Sequence, residues 1–283
     1  MISLADSYRH CRQVTKERAK NFYYGIRLLP SQRQDALCAV YAFFRYCDDV
    51  SDDEIVGDRD ELLTRWRASV EPGQQADSSP ILPAFHETVQ RYAIPTRYFR
   101  ELIDGAEADL SVSRYQTFEE LYRYCYQVAS TVGLVCIHIF GFDGSDEAFA
   151  EAEARGIAFQ MTNILRDISE DAERGRIYLP LEDLERFEVK PADLLAGNPG
   201  PGFARLLAFE VERARGYYEK SEPLVERVDS VSRPSLVAMT RIYRGLLERI
   251  AQMGPRVLKE RASLNKLEKI KLAGEGFFQS LRA

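Results

Sequence analysis

Apolar positions recur along most of this chain at intervals of three and four residues, and strict alternation is scarce. That periodicity predicts an all-α protein. Residues 3–18 read as a first helix, and Pro30 closes the segment that follows it. Ser31 with Gln34 fits a capping box, opening a helix through Leu37, Val40, Tyr41 and Phe44. Residues 71–80, rich in turn formers, read as a loop within one bundle rather than a domain boundary. Thr117 caps a helix carrying Tyr124 and Val128, and Ser145 caps another that stops near Gly175. A Gly- and Pro-rich loop at 195–202 precedes two long amphipathic helices, over 203–228 and 233–258. Tyr124–Phe142 carries no formal charge and approaches the ~20 residues of a membrane-spanning helix. Gln127, Ser130, Thr131 and His138 interrupt it, so it reads as a buried central helix, with His138 a satisfied core histidine.

Two acidic stretches break the apolar pattern. On a helix through Gln160–Pro180, Asn163, Asp167 and Asp171 fall at i, i+4 and i+8 and share one stripe. Met161, Ile164, Leu165 and Ile168 take mostly the other faces. Two carboxylates at i and i+4 cost an isolated helix roughly 0.2–0.5 kcal/mol. A neighbouring positive charge is therefore expected, and a hard cation suits an all-oxygen set. In the earlier stretch Asp48 stacks on Asp52 and Asp49 on Asp53, after an apolar run whose final carbonyls already carry partial negative charge. A solvated acidic face would explain either stripe alone. Two of them in a helical chain predict a pair facing across a cavity and holding Mg2+, whose shell water and substrate phosphate complete. The ligand this implies is a diphosphate.

Composition narrows the setting. The chain has 283 residues, enough for one large domain or two ordinary ones, and 45% hydrophobic with 29% charged residues is a soluble globular composition. A net charge of −6, with no basic run interleaved with aromatics, argues against nucleic acid as a partner. The five cysteines (Cys11, Cys38, Cys47, Cys125 and Cys136) lack zinc-like spacing and mostly neighbour apolar residues. They read as reduced thiols of a cytoplasmic protein. Charge runs through the first twenty residues, unlike a secretory signal. No internal repeat is visible, and Gly274-Glu-Gly276 lacks the preceding strand of a dinucleotide motif.

Three separated blocks then combine: Tyr41-Ala-Phe-Phe-Arg-Tyr-Cys-Asp-Asp49, Tyr124-Cys-Tyr-Gln-Val-Ala-Ser-Thr-Val-Gly133, and Gln160 through Pro180. In order and spacing they resemble the squalene/phytoene synthase family of head-to-head prenyl synthases, in particular bacterial presqualene diphosphate and squalene synthases. A lone acidic motif is weak; Asn-Ile-Leu-Arg-Asp167 followed by Arg-Gly-Arg-Ile-Tyr-Leu-Pro180 is specific. The resemblance implies a single-domain isoprenoid synthase-type helical bundle over residues 1–283, with a central apolar cavity. It implies Asp48, Asp52, Asn163, Asp167 and Asp171 as the Mg2+–diphosphate set. Lys20, Asn21, Arg45, Arg166 and Tyr178 would hold diphosphate oxygens. Phe22, Tyr41, Val128 and Gln160 would line the reaction cavity, with Tyr243 closing its far side. Tyr124 is the candidate for proton handling, and Tyr41, Arg45 and Gln160 complete the catalytic group. Ala19 and Asn21 depart from the small hydroxyl residues many relatives carry before Phe22, which bears on the phosphate contacts there.

The reading favours two farnesyl diphosphates going to presqualene diphosphate, and onward to squalene or a related product. Phytoene synthesis from geranylgeranyl diphosphate is the close alternative, since Asn-Ile-Leu-Arg-Asp also occurs in phytoene synthases. A terpene cyclase, using acidic stripes on one substrate, is more distant; Arg-Ile-Tyr-Leu-Pro argues against it. A non-enzymatic helical scaffold is the remaining alternative. The implied cofactor is Mg2+, with NADPH only where the product is reduced. Expected partners are prenyl diphosphates and other enzymes of hopanoid or carotenoid synthesis, with at most a peripheral contact at the inner membrane face.

Overall fold

The protein is described from a computed structural model covering residues 2–19, 21–51, 57–71, 79–198 and 200–280. Helix α1 (Leu4–Arg18) starts at Ser3, whose hydroxyl accepts the Asp6 N–H. A short α2 (Phe22–Ile26) leads to the long α3 (Ser31–Ser51). The expected capping box does not form. The Pro30 carbonyl accepts the Gln34 N–H at 2.9 Å, while the Gln34 amide donates to the Leu29 carbonyl at 2.7 Å. Ser31 is already inside the first turn, where its hydroxyl has no cap position to fill.

Helices α4 (Arg59–Ala68), α5 (Leu82–Arg91) and α6 (Arg97–Ser111) pack on α3. Their shared core centres on Phe43, whose ring stacks on Phe85 at 4.1 Å and on Trp66 at 4.8 Å. The uncharged stretch follows as α7 (Phe118–Cys125), a π turn over Tyr126–Ser130, and α8 (Thr131–Phe140). Thr117 caps α7 as expected, accepting the Glu120 N–H at 3.3 Å. The π turn departs from the regular helix expected there. It sits where α9 (Asp146–Glu173) presses in: a Cβ on Gly156 would lie 2.4 Å from Ser130 Cα. Among the described residues no helix is long and apolar enough to cross a membrane. His138 does lie among aromatics, against Phe142 and Phe149, but its Nε2 has no partner. Burial pushes its pKa down and keeps the ring neutral, so this histidine is packed rather than fully satisfied.

Helix α9 is capped by Ser145 and ends as Gly175 takes φ +74°, its N–H bonding the Ala172 carbonyl at 2.9 Å. Then come α10 (Leu181–Arg186), α11 (Pro191–Leu195), α12 (Phe203–Lys220), α13 (Leu224–Arg227), α14 (Arg233–Met253) and α15 (Lys266–Ser280). Two of these are shorter than the apolar periodicity suggested. The 203–228 helix divides before Pro223, which has no N–H to continue the ladder. The 233–258 helix stops at Met253, where Gly254 at φ +55° and Pro255 turn the next residues into a 3-10 segment. A second core gathers around α9, α12 and α14, with Leu206, Val211, Tyr218, Ile242 and Leu246 buried in it. At its edge Arg213 donates to Asp183 at 2.7 Å and to Glu210 at 2.8 Å. Burial, opposed by Arg213, pushes the Glu210 carboxyl up to about 8. All five cysteines are free thiols.

Candidate active site

Between the two cores lies a cavity of about 840 Å³. Helix α3 contributes Tyr41, Arg45 and Asp48; Asn21 and Phe22 enter from the start of α2. The rod of α7 and the π turn adds Tyr124 and Val128, and α9 adds Gln160, Asn163, Arg166, Asp167 and Asp171. Tyr178 and Tyr243 complete the set, so every described residue that the resemblance implied for the site borders this one space. Lys20 and Asp52, together with Asp53, lie outside the described residues.

The stripe on α9 forms as the spacing predicts. Asn163 donates through Nδ2 to Gln160 Oε1 at 3.3 Å, and its Oδ1 is buried without a hydrogen-bond partner. Asp167 accepts from Arg166 Nε at 2.7 Å and Arg261 Nε at 2.8 Å. Burial alone would raise this carboxyl; the two arginines outweigh burial and hold it below its ordinary value. One turn on, Asp171 has the opposite fate. Burial and the charge of Asp167 push it up to about 7.

On α3 the two adjacent aspartates separate. Asp49 is taken by Arg18, at 2.7 Å, and by Arg45. Asp48 stays exposed, 3.8 Å from Arg45, and it is Asp48 that borders the cavity. Among the described residues no three acidic, histidine or cysteine side chains gather into a ready-made metal cluster.

Several cavity groups were not singled out beforehand. Asp109 of α6 accepts from the Tyr124 hydroxyl and from the Tyr178 hydroxyl, each at 2.8 Å. The Tyr124 and Tyr178 rings stack at 5.3 Å, and Arg176 donates to the Asp109 carbonyl at 2.9 Å. Burial, then the Asp109 charge, raises both phenols well above their ordinary values, so both keep their protons. The signal for Asp109 was its place on the buried stripe of α6, three residues after Ala106 and seven after Leu102. Arg174 and Arg176 flank the glycine of the Arg-Gly-Arg block, while Arg261 and Lys269 arrive from the C-terminal region. Phe159 stacks on Tyr243 at 4.3 Å, and Phe22 lies 5.0 Å from Tyr243.

The sequence matches the squalene/phytoene synthase family over residues 15–268. The chain belongs to that family. It is therefore a prenyltransferase of squalene/phytoene synthase type, with the all-α isoprenoid synthase fold. Among curated family members, 15-cis-phytoene synthase of Synechocystis sp. is 39% identical over 275 residues, covering 92% of this chain and 81% of that protein. Phytoene synthase of Mycobacterium tuberculosis is 37% identical over 285 residues, covering 99% and 94%. Among solved structures, a dehydrosqualene synthase bound to a ligand superposes with a TM-score of 0.91 at 25% identity, covering 99% of this chain and 98% of that one. Squalene synthase HpnC from Alicyclobacillus acidocaldarius gives 0.82 at 29% identity, over 89% and 95%.

Proposed function

We propose that the chain joins two geranylgeranyl diphosphates head to head, giving phytoene and releasing diphosphate. This reverses the order suggested by the motifs alone, which put farnesyl diphosphate first; the phytoene synthases among the curated relatives support the change. What carries the reading chemically is one cavity with two characters. Charged Asp48, Arg45, Asp167, Asp171 and Arg176 line it together with the aromatic rings of Phe22, Phe159 and Tyr243. Both cores border it, which supports one domain across residues 1–283.

The donor set fits Mg2+. Asn163 Oδ1 is buried and unpaired, and Asp171 is held up at about 7 beside Asp167; a cation relieves both. Asp48, Asn163, Asp167 and Asp171, with Asp52 from the same acidic block, would hold it. When bound, Mg2+ neutralises charge on the departing diphosphate. Arg45, Arg166, Arg176 and Asn21 hold diphosphate oxygens, and the family resemblance adds Lys20 to them, while Tyr178 gives its hydroxyl proton to Asp109. The Phe22, Phe159 and Tyr243 faces then stabilise the allylic cation, each by up to about 2 kcal/mol when desolvated, and the apolar walls exclude quenching water. Attack by the double bond of the second substrate and loss of a proton close a cyclopropane ring that still carries one diphosphate; loss of that second diphosphate, opening of the ring and loss of a second proton give phytoene. Tyr124 keeps its own proton, which it donates to Asp109 at 2.8 Å, so diphosphate oxygen takes the protons that are lost.

A second reading, farnesyl diphosphate to a squalene-type product, is favoured by the 0.91 superposition on a dehydrosqualene synthase. One experiment separates them: purified protein, Mg2+ and each prenyl diphosphate, with and without NADPH, with products identified by mass. Coupled phytoene from geranylgeranyl diphosphate without NADPH is the expected result. Coupling of farnesyl diphosphate alone selects the second reading, and only cyclised or hydrolysed single-chain products overturn both.

A further inference from the structure

Over its first ten residues, helix α15 is packed on one side and bare on the other. A reciprocal cap fixes its start: Asn265 Oδ1 accepts the Glu268 N–H at 3.0 Å, and Glu268 Oε2 accepts the Asn265 N–H at 2.7 Å. The inward side lies on α14, where a Cβ on Gly245 would come within 2.9 Å of Leu272 Cδ1, and Ala273 is buried. Arginines of α14 take both acidic side chains of this stretch, Arg249 donating to Glu268 at 2.5 Å and Arg241 to Glu275 at 3.3 Å. The outward side is apolar, with Leu267 78% and Ile270 48% exposed. At 3.6 residues per turn, Leu267, Ile270 and Gly274 form one stripe, with Lys266 about 40° beyond one edge and Lys271 about 40° beyond the other.

Charge decides what such a face can meet. Residues 256–271 hold six basic side chains (Arg256, Lys259, Arg261, Lys266, Lys269 and Lys271) against two acidic ones, in a chain whose net charge is −6. A second copy of the chain fits poorly, because a two-fold contact sets the same lysine-edged stripe against itself. An anionic bilayer fits both features. Leucine and isoleucine enter the acyl boundary, while lysine stems lie along the apolar surface and carry their ammonium groups to the headgroups.

The position of the helix gives the contact a purpose. Lys269, on the side away from Leu267, borders the cavity, as do Arg261 and Leu264 just before the helix. We infer that the outward face of α15 docks on an anionic lipid surface, holding a wall of the cavity within one helix diameter, about 10 Å, of the headgroups. Two apolar side chains make this a reversible contact rather than an anchor.

The test is co-sedimentation of the full chain with lipid vesicles. At about 0.1 M salt it should bind phosphatidylcholine vesicles containing phosphatidylglycerol and ignore phosphatidylcholine alone; at about 1 M salt, where screening shortens from about 10 Å to about 3 Å, it should be released. Leu267→Gln with Ile270→Gln, and separately Lys266→Gln with Lys271→Gln, should each weaken binding by about 10-fold or more. Val231→Gln, at another exposed apolar side chain, should change nothing. Failure to bind anionic vesicles, or binding that the Leu267 and Ile270 changes leave intact, overturns the inference. An equal loss in Val231→Gln does so too, since it would mean general stickiness. A dimer in sedimentation velocity that the same two changes abolish, without vesicle binding, puts a second copy on the face instead. Should the variants not fold, the wild type decides: anionic vesicles should protect Lys266 and Lys271 from acetylation, read by mass, and undiminished reactivity in the bound protein overturns the inference. No readout uses turnover, so the surface stands or falls apart from the proposed coupling.

Discussion

Two phenols donating to a single carboxylate set the chemistry of individual residues in this cavity. Asp109 anchors Tyr124 and Tyr178 at 2.8 Å each, fixing both hydroxyls and keeping both protonated. Asp109→Asn weakens both anchors without changing volume, so the coupling rate should fall on the order of 10²-fold, the cost of a misplaced reacting group. Substrate affinity and helical content should hardly change, and steady-state kinetics with circular dichroism check all three. An unchanged rate would show that the phenols need no such anchor. Glu210 offers a separate test, on stability. Its carboxyl rises from an ordinary value of 4.5 to about 8 in the folded chain, chiefly through burial. Between those values the folded state holds a proton that the unfolded state has released, so stability is lost as pH rises through that window. Glu210→Gln removes the titration. Urea midpoints at about pH 5 and about pH 8 should therefore fall further apart in wild type than in the variant.

At the scale of elements, the cavity depends on how closely α9 approaches the π turn. A methyl group on Gly156 would meet backbone, Ser130 N at 2.6 Å and Ala129 O at 2.7 Å, and backbone cannot swing away as a flexible side chain can. Gly156→Ala should destabilise by about 1–3 kcal/mol through overpacking and lower activity by displacing Val128. Gly216 on α12 is the control, because a Cβ there meets nothing within 4 Å. Gly216→Ala should stabilise by about 0.5–1 kcal/mol from helix propensity. Chemical denaturation of the pair would expose an error if both shifted in the same direction.

For the whole molecule, the proposed ligand joins walls that the polypeptide holds apart. Asp48 stands on α3 and Asp171 on α9, in different parts of the sequence, and no metal cluster is preformed among the described residues. Mg2+ with inorganic diphosphate should therefore raise the melting temperature together, each alone doing much less. At a hundredfold excess over the dissociation constant the stabilisation is about 2.7 kcal/mol. Asp167→Asn should remove most of that shift, and a chelator should stop diphosphate release while leaving helical content intact. A full shift in Asp167→Asn would place the ligand elsewhere.

Helix positions, the stripe of Asn163, Asp167 and Asp171, and the Asn-Ile-Leu-Arg-Asp block were legible along the chain, because 3.6-residue periodicity and motif spacing are local properties. Helix ends were less legible. Pro223 and Gly254 stop helices that apolar periodicity alone would carry further, and Gln34 finds the Leu29 carbonyl instead of a cap. Groups that act through distant partners were invisible for a different reason. Asp109 acquires its role from Tyr178, 69 residues away, and Asp167 its second arginine from Arg261, 94 residues away. Such pairs carry no spacing signal, since the fold alone sets the distance between them. The residue types available for diphosphate chemistry were therefore set by local pattern, while tertiary packing chose which carboxylate was neutralised and which phenols were anchored.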